Sequence, residues 1–547
     1  MPEDTNHRHF RVPRDDRSLF ALPPFEMAAG LVAGNQTRFA TANCSLHGRT
    51  LADLRTSTRR QAVELALAYT TSLLQVEVPS VLTDSLVVSG HQPELFHVGV
   101  WAKNFAMAAV ARQSCSVAVN LVIDNDTLNE TSLRIPAGSR ERLRVERMPF
   151  DAPQATQPWE EAIIRDRTTF EQFGSVVRKQ IHDTWGFEPL IGSYWDSAIR
   201  QSRISNRLCD GLTAMRANVE RKWGLHNLEL PMSRLCETDS FRWFAAHLLI
   251  RASEVYRVYN EAVAEYRQSH RIRNRMQPVP DLERDGDWFE SPFWIWKQGD
   301  IQRGRLFARQ SGSDCELRDE KNVVARLRLT DHGTLDEAVN ALREMSARGF
   351  RLRTRALTTT LFARVFLADL FVHGIGGAKY DEMTNQLCQR LFDLDAPEYL
   401  TVSATLYLPL GGAYGATDIQ LRAINSQLRD LNYNPERHLM TSPEIAALVS
   451  RKSEILAEAK LLRATNQMHG RLNPAQHRKL NDIRESLLAQ TKPIRSAYES
   501  TRMALQSQLA SNALIRNREY SFALYPEELV RQFLNPLATA LQGEGIT

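Results

Sequence analysis

The chain has 547 residues, of which 43% are hydrophobic, and its 68 basic and 64 acidic side chains leave a formal charge of only +4. That apolar fraction is enough for a large core and excludes a globally disordered chain. So small a net charge gives no support for a dedicated nucleic-acid-binding protein, and the length predicts two to four domains.

The cysteine pattern and the apolar stretches indicate in which cellular compartment the protein is expected. None of the six cysteines stands in a C-x-x-C pair, so we predict isolated reduced thiols and no structural zinc site. The N-terminal segment is polar and charged, without the apolar region of a signal peptide. Residues 358–378 form the most apolar later stretch, but they include Arg364, Asp369 and His373. They favour a buried core segment, with strand and helix both open, over a membrane span, and we expect a cytoplasmic protein.

The first part of the chain has the pattern of a parallel sheet. We predict an extended arm over residues 1–35 and a helix over 51–74, where apolar residues recur at helical spacing. Residues 85–91 predict a buried strand, 99–112 an amphipathic helix and 115–123 a second strand. Strand, turn, helix and strand in this order are typical of a βαβ unit.

Helical patterns dominate the middle of the chain, from about residue 155 to 280, with the longest stretch at 241–270. The aromatic stretch at 288–309 contains a Gly-Asp turn and predicts a β-hairpin. Helical and apolar patterns resume over 334–371, with an interruption near Gly349, and residues 399–408 predict another strand.

Residues 443–515 carry almost no strand signal, and their apolar residues, Leu462 among them, repeat at spacings of three, four or seven. Gly470 with Asn473-Pro474 predicts a break between two helical arms. The predicted fold is therefore a Rossmann-like parallel-sheet core with helical insertions and a C-terminal helical hairpin or coiled-coil arm. The predicted segments are an N-terminal arm and helix (1–80), the first part of the core (81–150), a mainly helical insertion with a basic hairpin (151–330), the second part of the core (331–440), and the C-terminal arm and tail (441–547).

The first candidate site is the loop between the first predicted strand and its helix, with Gly90, His91, His97 and Gly99. Ligands of open α/β sheets bind at the carboxyl ends of strands, and the helix N-terminus behind the loop offers free N–H groups to a phosphate. The histidines would stabilise charge on a phosphoryl group, and the glycines would let the backbone approach it. A polar loop with two structural histidines is the alternative, about equally weighted.

The second candidate follows the second predicted strand, at Asp124, Asp126, Asn129 and Glu130. Carboxylates at this position suit an amine, a ribose hydroxyl or Mg²⁺. The structural alternative is an Asx-turn followed by helix or loop capping. We favour the structural interpretation for Asp124 and binding for Asp126.

The third candidate is the glycine-rich segment 374–382, in which Gly376, Gly377 and Lys379 suggest a phosphate cradle. It lacks the Walker A spacing, and a tight turn between helices is an equally weighted alternative. The basic run at 270–275 is interpreted as a solvated helix end rather than an anion or nucleic-acid site. No standard hydrolase motif is present.

Taken in order, these segments resemble the cysteine ligase family of bacillithiol synthesis, whose members have a nucleotidyltransferase-like Rossmann core. Residues 89–103 resemble its early segment T-G-Q-Q-x-G-L-F-T-G-P-x-Y-x-x-x-K. The second strand with Asp126 and Glu130 resembles its acidic segment. Further along the chain, the resemblance continues through the hairpin at 292–306, residues 352–380, Ser403-Ala-Thr405 and the C-terminal helical arm, which in that family mediates dimer contact.

The chain departs from that family within the proposed site. His91-Gln92 stands where the family has Gln-Gln. Residues 353–358 lack the family's Q-D pair, and Gly376-Gly-Ala-Lys-Tyr380 replaces its G-G-P-G-E turn. The resemblance therefore implies the fold and leaves the cysteine-ligase reaction open.

The resemblance and the candidate residues imply a nucleotide-binding ligase or nucleotidyltransferase-like enzyme that acts on a small amine- or thiol-bearing substrate. Its cofactor would be ATP or a related nucleotide, with or without Mg²⁺, and we expect no resident metal. We expect His91, His97 and Asp126 to be catalytic; Asp124, Asn129 and Glu130 to bind the substrate; and Gly90, Gln92, Gly99, Lys103, Gly376, Gly377 and Lys379 to contact the nucleotide. We expect a homodimer through the helical arm, and neither a membrane nor a nucleic acid as partner. The rival hypothesis is a non-catalytic dimeric assembly protein on a retained Rossmann scaffold.

Overall fold

The computed structural model describes residues 12–77, 83–464 and 474–539. Their α-helices are α1 (Ala28–Thr41), α2 (Leu51–Leu74), α3 (Val98–Gln113), α4 (Arg167–Trp185), α5 (Ile191–Ser202), α6 (Leu208–Lys222), α7 (Met232–Leu235), α8 (Asp239–Ile250), α9 (Ala252–Ser269), α10 (Asp336–Ala347), α11 (Ala356–Phe362), α12 (Ile375–Phe392), α13 (Asp418–Tyr433), α14 (Pro443–Ala464), α15 (Pro474–Gln490), α16 (Lys492–Ile515) and α17 (Glu527–Thr539). A π-helical turn, Ala363–Leu367, continues α11.

The strands of the described residues are β1 (Ser18–Leu22), β2 (Ser45–Leu46), β3 (Arg49–Thr50), β4 (Leu86–His91), β5 (Val117–Val122), β6 (Thr127–Leu128), β7 (Ser132–Ser139), β8 (Arg142–Pro149), β9 (Gln157–Pro158), β10 (Leu228–Pro231), β11 (Arg284–Asp285), β12 (Trp288–Lys297), β13 (Gly304–Ser311), β14 (Asp314–Arg318), β15 (Val323–Leu327), β16 (Phe350–Thr354), β17 (Leu370–His373) and β18 (Tyr399–Thr405).

The fold is mixed α/β, and its residues divide into two compact units. The first unit consists of the described parts of Met1–Ile135, Glu146–Leu408 and Arg518–Thr547, and it contains both six-stranded sheets. The second unit consists of Pro136–Val145 and the described part of Pro409–Asn517. Within the ranges that the structure describes, no helix is both long and apolar enough to cross a membrane.

The first, mainly parallel sheet has the strand order β1-β18-β17-β4-β5-β10. Strands β18, β17, β4, β5 and β10 are parallel, and β1 is an antiparallel edge strand beside β18. The chain passes from β4 through α3 to β5, with Val88 opposite Val119, which confirms the predicted βαβ unit. It then adds β10 beside β5 and later places β17 and β18 on the other side of β4. The strand order therefore reverses between β4 and β17.

Helix α3 is more buried than its sequence suggests. It was expected to be amphipathic, but all residues from Val98 to Ala111 are buried except the half-buried Val100. The reason is that α3 packs against β18 as well as α17. The Trp101 ring contacts those of Phe522 and Trp223, with centroids 4.3 and 5.2 Å away. This packing fixes the N-terminus of α3 next to the sheet.

Several segments differ from the sequence-based predictions. The predicted extended arm over residues 1–35 is wrong for its described part, which contains β1 and the start of α1, while residues 1–11 lie outside the described residues. The short strand β10 interrupts the predicted helical region and pairs with β5. Over 334–371, two strands, β16 and β17, accompany the helices. The segment 358–378 combines helix, π-helical turn, strand β17 and the start of α12.

The second sheet is antiparallel and is built around β12. The predicted hairpin is confirmed, because β12 pairs with β13 and Gly299 turns the chain with a φ of +88°. On its other edge β12 pairs with β16. The helix predicted over 241–270 is interrupted at Arg251, which gives α8 and α9. The rings of Phe241, Phe293 and Phe362 pack in the core between these elements.

The second unit contains helices α13 to α16. Buried Ile445 and Ile455 of α14 pack with Ile483 and Leu487 of α15. The predicted break falls between the end of α14 and the start of α15 at Pro474, but its signal residues Gly470 and Asn473 lie outside the described residues, and nothing is described of the Leu462 side chain. A further interruption at Thr491 separates α15 from α16, so the described part of residues 443–515 forms three helices rather than two.

Candidate functional site

A cavity of about 730 Å³ opens at the carboxyl edge of the mainly parallel sheet. Its lining includes the last residues of β4 and β17, which flank the reversal of strand order, and Ser403 of β18. Ligands of open α/β sheets bind in the crevice at such a reversal, and the volume is within the range of small-molecule sites. This cavity is the candidate functional site.

Lys103 of α3 lines the cavity between the two central strands. The residue is only 4% exposed, and its Nζ donates a 2.7 Å hydrogen bond to the carbonyl oxygen of Gly90. A Cβ built on Gly374 would lie 3.6 Å from its Cδ, so its stem passes the start of α12. Burial, together with the positive charge of Arg216, lowers the pKa of Lys103 to about 7. No carboxylate in the described ranges pairs with Nζ, so an anion in the cavity would supply a missing counter-charge.

The N-terminus of α3 is held by His97 and Gly99. His97 is the N-cap, and its Nδ1 accepts a 3.1 Å hydrogen bond from the backbone N–H of Gly99. A Cβ on Gly99 would lie 2.4 Å from the carbonyl oxygen of Ala404 and 2.2 Å from Nη2 of Arg518. Glycine is therefore required here because α3 begins in close contact with β18.

Both histidines of the first loop are uncharged near neutral pH. Burial, reinforced by the positive charge of Lys103, lowers the pKa of His91 to about 3. Burial and the charge of Arg518 lower the pKa of His97 to about 3. The His91 ring contacts Phe96 edge to face at 5.1 Å between centroids. A neutral imidazole donates a single N–H, so these side chains can bind an anion without a buried charge in the free protein.

The N-terminus of α12 also lines the cavity. Its N-cap is Gly374, which has no side chain to accept hydrogen bonds from the first turn. The N–H groups of Ile375, Gly376 and Gly377 have no intrahelical acceptor there, and the helix dipole adds partial positive charge. Lys379 is exposed one turn into the helix and lines the same cavity. The predicted glycine-rich turn is thus the end of β17 followed directly by the first turn of α12.

Asp126 lies on the cavity wall, in the turn that follows β5. Its Oδ2 accepts a 2.7 Å hydrogen bond from Nε2 of Gln92. Its Oδ1 accepts a 3.1 Å bond from Nη1 of Arg303, which arrives from the loop between β12 and β13. Burial, together with the charge of Asp126, raises the pKa of nearby Glu94. Gln92 and Asp126 therefore form one polar wall of the cavity.

The other three residues of the second candidate lie elsewhere. Asp124 is fully buried, accepts a 2.8 Å hydrogen bond from the N–H of Ser233 and lies 3.3 Å from Nη2 of Arg207. Asn129 and Glu130 are exposed, and Glu130 pairs with Arg147 at 2.5 Å. None of the three lines the cavity. The contacts of Asp124 are structural, but they reach residues 83 and 109 positions further along the chain and do not form the expected Asx-turn.

The cavity also contains residues that the sequence did not indicate as functional. His373 ends β17, with Asp381 of α12 beside it. Arg355 follows β16 and lies over the Trp294 ring, with its guanidinium 4.0 Å from the ring centroid. Arg518 comes from the segment before α17 and donates a 3.1 Å hydrogen bond to Oγ of Ser403. Only His373 had a usable signal, since it ends a predicted apolar run immediately before the glycines.

Neither groups of metal-binding side chains nor matches to known proteins indicate the function of the cavity. Within the described ranges, no group of three or more His, Cys, Asp or Glu side chains is arranged to hold a metal ion. The sequence matches no protein-family model, and it matches no curated protein. The function must therefore be argued from the cavity itself.

Proposed function

We propose that the first unit has a Rossmann-like core that binds ATP or a related nucleotide, and that the protein is a ligase or nucleotidyltransferase-like enzyme. Its substrate would be a small molecule that bears an amine or a thiol. Numbered along the chain, the five parallel strands stand in the order 3-2-1-4-5. Dinucleotide-binding folds have this order followed by a sixth parallel strand, in whose place this sheet has the antiparallel β1, and they bind their ligand where the order reverses.

The observation that carries the proposal is the position of Lys103. It is a buried lysine without a carboxylate partner in the described ranges, and it lies between the N-termini of two helices that both line the cavity. A helix N-terminus alone attracts anions weakly. Two such termini with a buried amine at the reversal of strand order make a site that suits a di- or triphosphate.

The cavity residues divide between the phosphates and the second substrate. We place the phosphates against Lys103, His91, His97 and the first turn of α12, with Gly90 and Gly99 allowing close backbone approach. Asp126 would orient the amine or thiol substrate, and any Mg²⁺ would enter with the nucleotide. The rate enhancement would come mainly from positioning and electrostatic stabilisation.

The resemblance to the bacillithiol cysteine ligases supports a ligase at the level of element order. The departures at His91, at residues 353–358 and at Gly376–Tyr380 all fall in or beside the cavity. We therefore propose a related reaction class and leave the acceptor undefined.

The first test is the unfolding midpoint of the full-length protein with a panel of nucleotides, with and without Mg²⁺. A ligand at about 100 times its Kd should add roughly 2.7 kcal/mol to the free energy of unfolding. We expect a shift with ATP or ADP that is lost in the double variant His91→Ala/His97→Ala and kept in His332→Ala, an exposed histidine outside the cavity. ATP consumption would then be screened with small amines and thiols. No shift with any nucleotide would refute the nucleotide site.

One observation favours the rival assembly function. Several large apolar side chains of the second unit are exposed, including Met440 at 91%, Ile419 at 70% and Leu461 at 67%. Exposed apolar surface often marks an interface, and the predicted homodimer through the helical arm would cover it. Sedimentation equilibrium decides this point: a concentration-dependent dimer that Met440→Ser and Leu461→Ser abolish supports assembly, and a monomer at all concentrations refutes it.

A further inference from the structure

His373 is held in one orientation at the carboxyl end of β17. The residue is 5% exposed and lines the cavity. Its ring packs against the rings of Phe371 and Tyr399, with centroids 4.5 and 5.0 Å away. Its Nε2 lies 2.8 Å from Oδ2 of Asp381, which belongs to the second turn of α12. The imidazole is thus held by two aromatic contacts, and its Nε2 makes a close contact to one carboxylate that lacks full hydrogen-bond geometry.

Asp381 is itself fixed by a buried arginine. Nη1 of Arg364 lies 2.6 Å from the same Oδ2, and Arg364 also donates to the carbonyl oxygen of Pro397. Arg364 belongs to the π-helical turn, an irregularity that is frequent at functional sites. Arginine, carboxylate and histidine therefore form a chain that ends at the cavity.

The second ring nitrogen of His373 has room for a ligand. Nδ1 makes no hydrogen bond to any residue in the described ranges, and it faces the first turn of α12. A Cβ on Gly377 would lie 2.8 Å from Nδ1, whereas a Cβ on neighbouring Gly376 would meet nothing within 4 Å. Glycine at position 377 thus keeps the ring nitrogen uncovered.

From this geometry we infer that His373 is the general base of the cavity and that Asp381 is its positioning residue. The inference rests on the proposed function and deepens it. The acceptor would present an N–H or S–H to Nδ1, and its proton would move to the imidazole. In nucleotidyl transfer, the freed electron pair would form the bond to the α-phosphorus of the nucleotide, and pyrophosphate would leave with the pair of the P–O bond that breaks. In ligation, the pair would form the bond to the carbonyl carbon of a carboxylate already activated by the nucleotide, and the phosphate-bearing group would leave with the pair of the C–O bond that breaks.

The surrounding charges suit this role. Burial lowers the pKa of His373, with smaller contributions from the positive charges of Arg364 and Lys103, while Asp381 acts to raise it. The imidazole is consequently neutral at pH 7 and free to accept a proton. The imidazolium that forms would face Asp381, which stays ionised because Arg364 and His373 lower its pKa.

Diethyl pyrocarbonate, which acylates unprotonated imidazole, tests whether Nδ1 is reachable. We expect His373 of the full-length protein to be modified, as located by mass spectrometry. An added model histidine peptide should react about tenfold more slowly at pH 5.5 than at pH 7.5. The modification rate of His373 should fall by a clearly smaller factor over the same pH range, because its pKa is lowered. Gly377→Ala should slow its modification at least tenfold, and Gly376→Ala should leave it unchanged. An unmodified His373, or equal rates in the two glycine variants, would overturn the inference.

Two further variants distinguish a general-base role of His373 from a purely structural one. Asp381→Asn should move the pH profile of His373 modification to lower pH, because a charge that raises its pKa is lost. His373→Gln should keep the wild-type midpoint shift with ATP and lower ATP consumption with the best amine or thiol at least 100-fold. Consumption at the wild-type rate would refute the base. A wild-type protein without an ATP shift would refute the nucleotide proposal, while the modification rates would still decide whether Nδ1 is accessible.

Discussion

Nζ of Lys103 lies 2.7 Å from the carbonyl oxygen of Gly90, so the last residues of the first parallel strand are tied to the helix that follows. This contact satisfies one hydrogen of the amine and leaves the others for a ligand. Glycine at position 90, next to the last residue of β4, has a separate reason, because a Cβ there would lie 3.1 Å from both Cβ and the carbonyl oxygen of Leu121 on β5.

The buried Lys103 should make stability depend on pH. Its pKa is about 7 in the folded protein and 10.5 when exposed, so between these values the unfolded chain binds more protons. The free energy of unfolding contributed by this group therefore rises with pH across that window. Lys103→Met should stabilise the protein more at pH 6 than at pH 10, as measured by urea unfolding. The same difference at both pH values would contradict a buried amine, and Lys321→Met, at an exposed lysine, is the control.

Anion binding should take up a proton. An anion beside Lys103 would raise its pKa from about 7. The affinity for sulfate, whose charge is constant from pH 6 to 9, should therefore fall as the pH rises above 7, by up to about tenfold per unit. Calorimetry in two buffers with different ionisation enthalpies measures the proton uptake directly. Lys103→Met should bind sulfate weakly and without this pH dependence; unchanged binding would remove Lys103 from the site.

The sequence predicted the part of the fold that local patterns determine. The strand–helix–strand unit β4–α3–β5 has apolar runs and a glycine at the right places, and the hairpin β12–β13 has its own turn residues. Strand β10 was missed because it has only four residues between two helices. Its place in the sheet depends on pairing with β5, more than 100 residues earlier, which no local pattern encodes.

The sequence likewise predicted only part of the candidate site. Gly90 and His91 end β4, while His97 and Gly99 begin α3 directly after it. Because strand ends of a parallel sheet meet at one edge, they and Asp126 line a common cavity. Arg518 comes from a segment 115 residues beyond its partner Ser403. Such long-range contacts arise from tertiary packing, which also decides that Glu130 pairs with Arg147 at the surface and not with a ligand.

Gly99 should be intolerant of any side chain. Gly99→Ala would place a methyl group 2.4 Å from the carbonyl oxygen of Ala404, and such overpacking costs about 1–3 kcal/mol. We expect a loss of about 2 kcal/mol in urea unfolding together with weaker ATP binding. Gly30→Ala is the matched control, because its Cβ meets nothing within 4 Å in helix α1. It should stabilise the protein by about 0.5–1 kcal/mol. Equal stability of the two variants would show that α3 does not start in close contact with β18.

Asp124 and Asp126 should separate stability from binding, although only one residue lies between them. Asp124→Ala leaves the buried N–H of Ser233 and Arg207 without their acceptor, which should cost about 2–4 kcal/mol. Asp126 is 38% exposed, and Asp126→Ala should cost less than about 1 kcal/mol.

In contrast, only Asp126→Ala should alter how the protein uses its amine or thiol substrate, since that carboxylate lines the cavity with Gln92. Urea unfolding and ATP consumption across the co-substrate panel measure the two effects on the same preparations. The KM for the co-substrate should rise at least tenfold in Asp126→Ala. ATP should still shift the unfolding midpoint of this variant as much as it shifts that of the wild-type protein. If Asp124→Ala were as stable as wild type and raised the KM instead, the buried aspartate would be the substrate-binding group, and the structural role assigned to it here would be wrong.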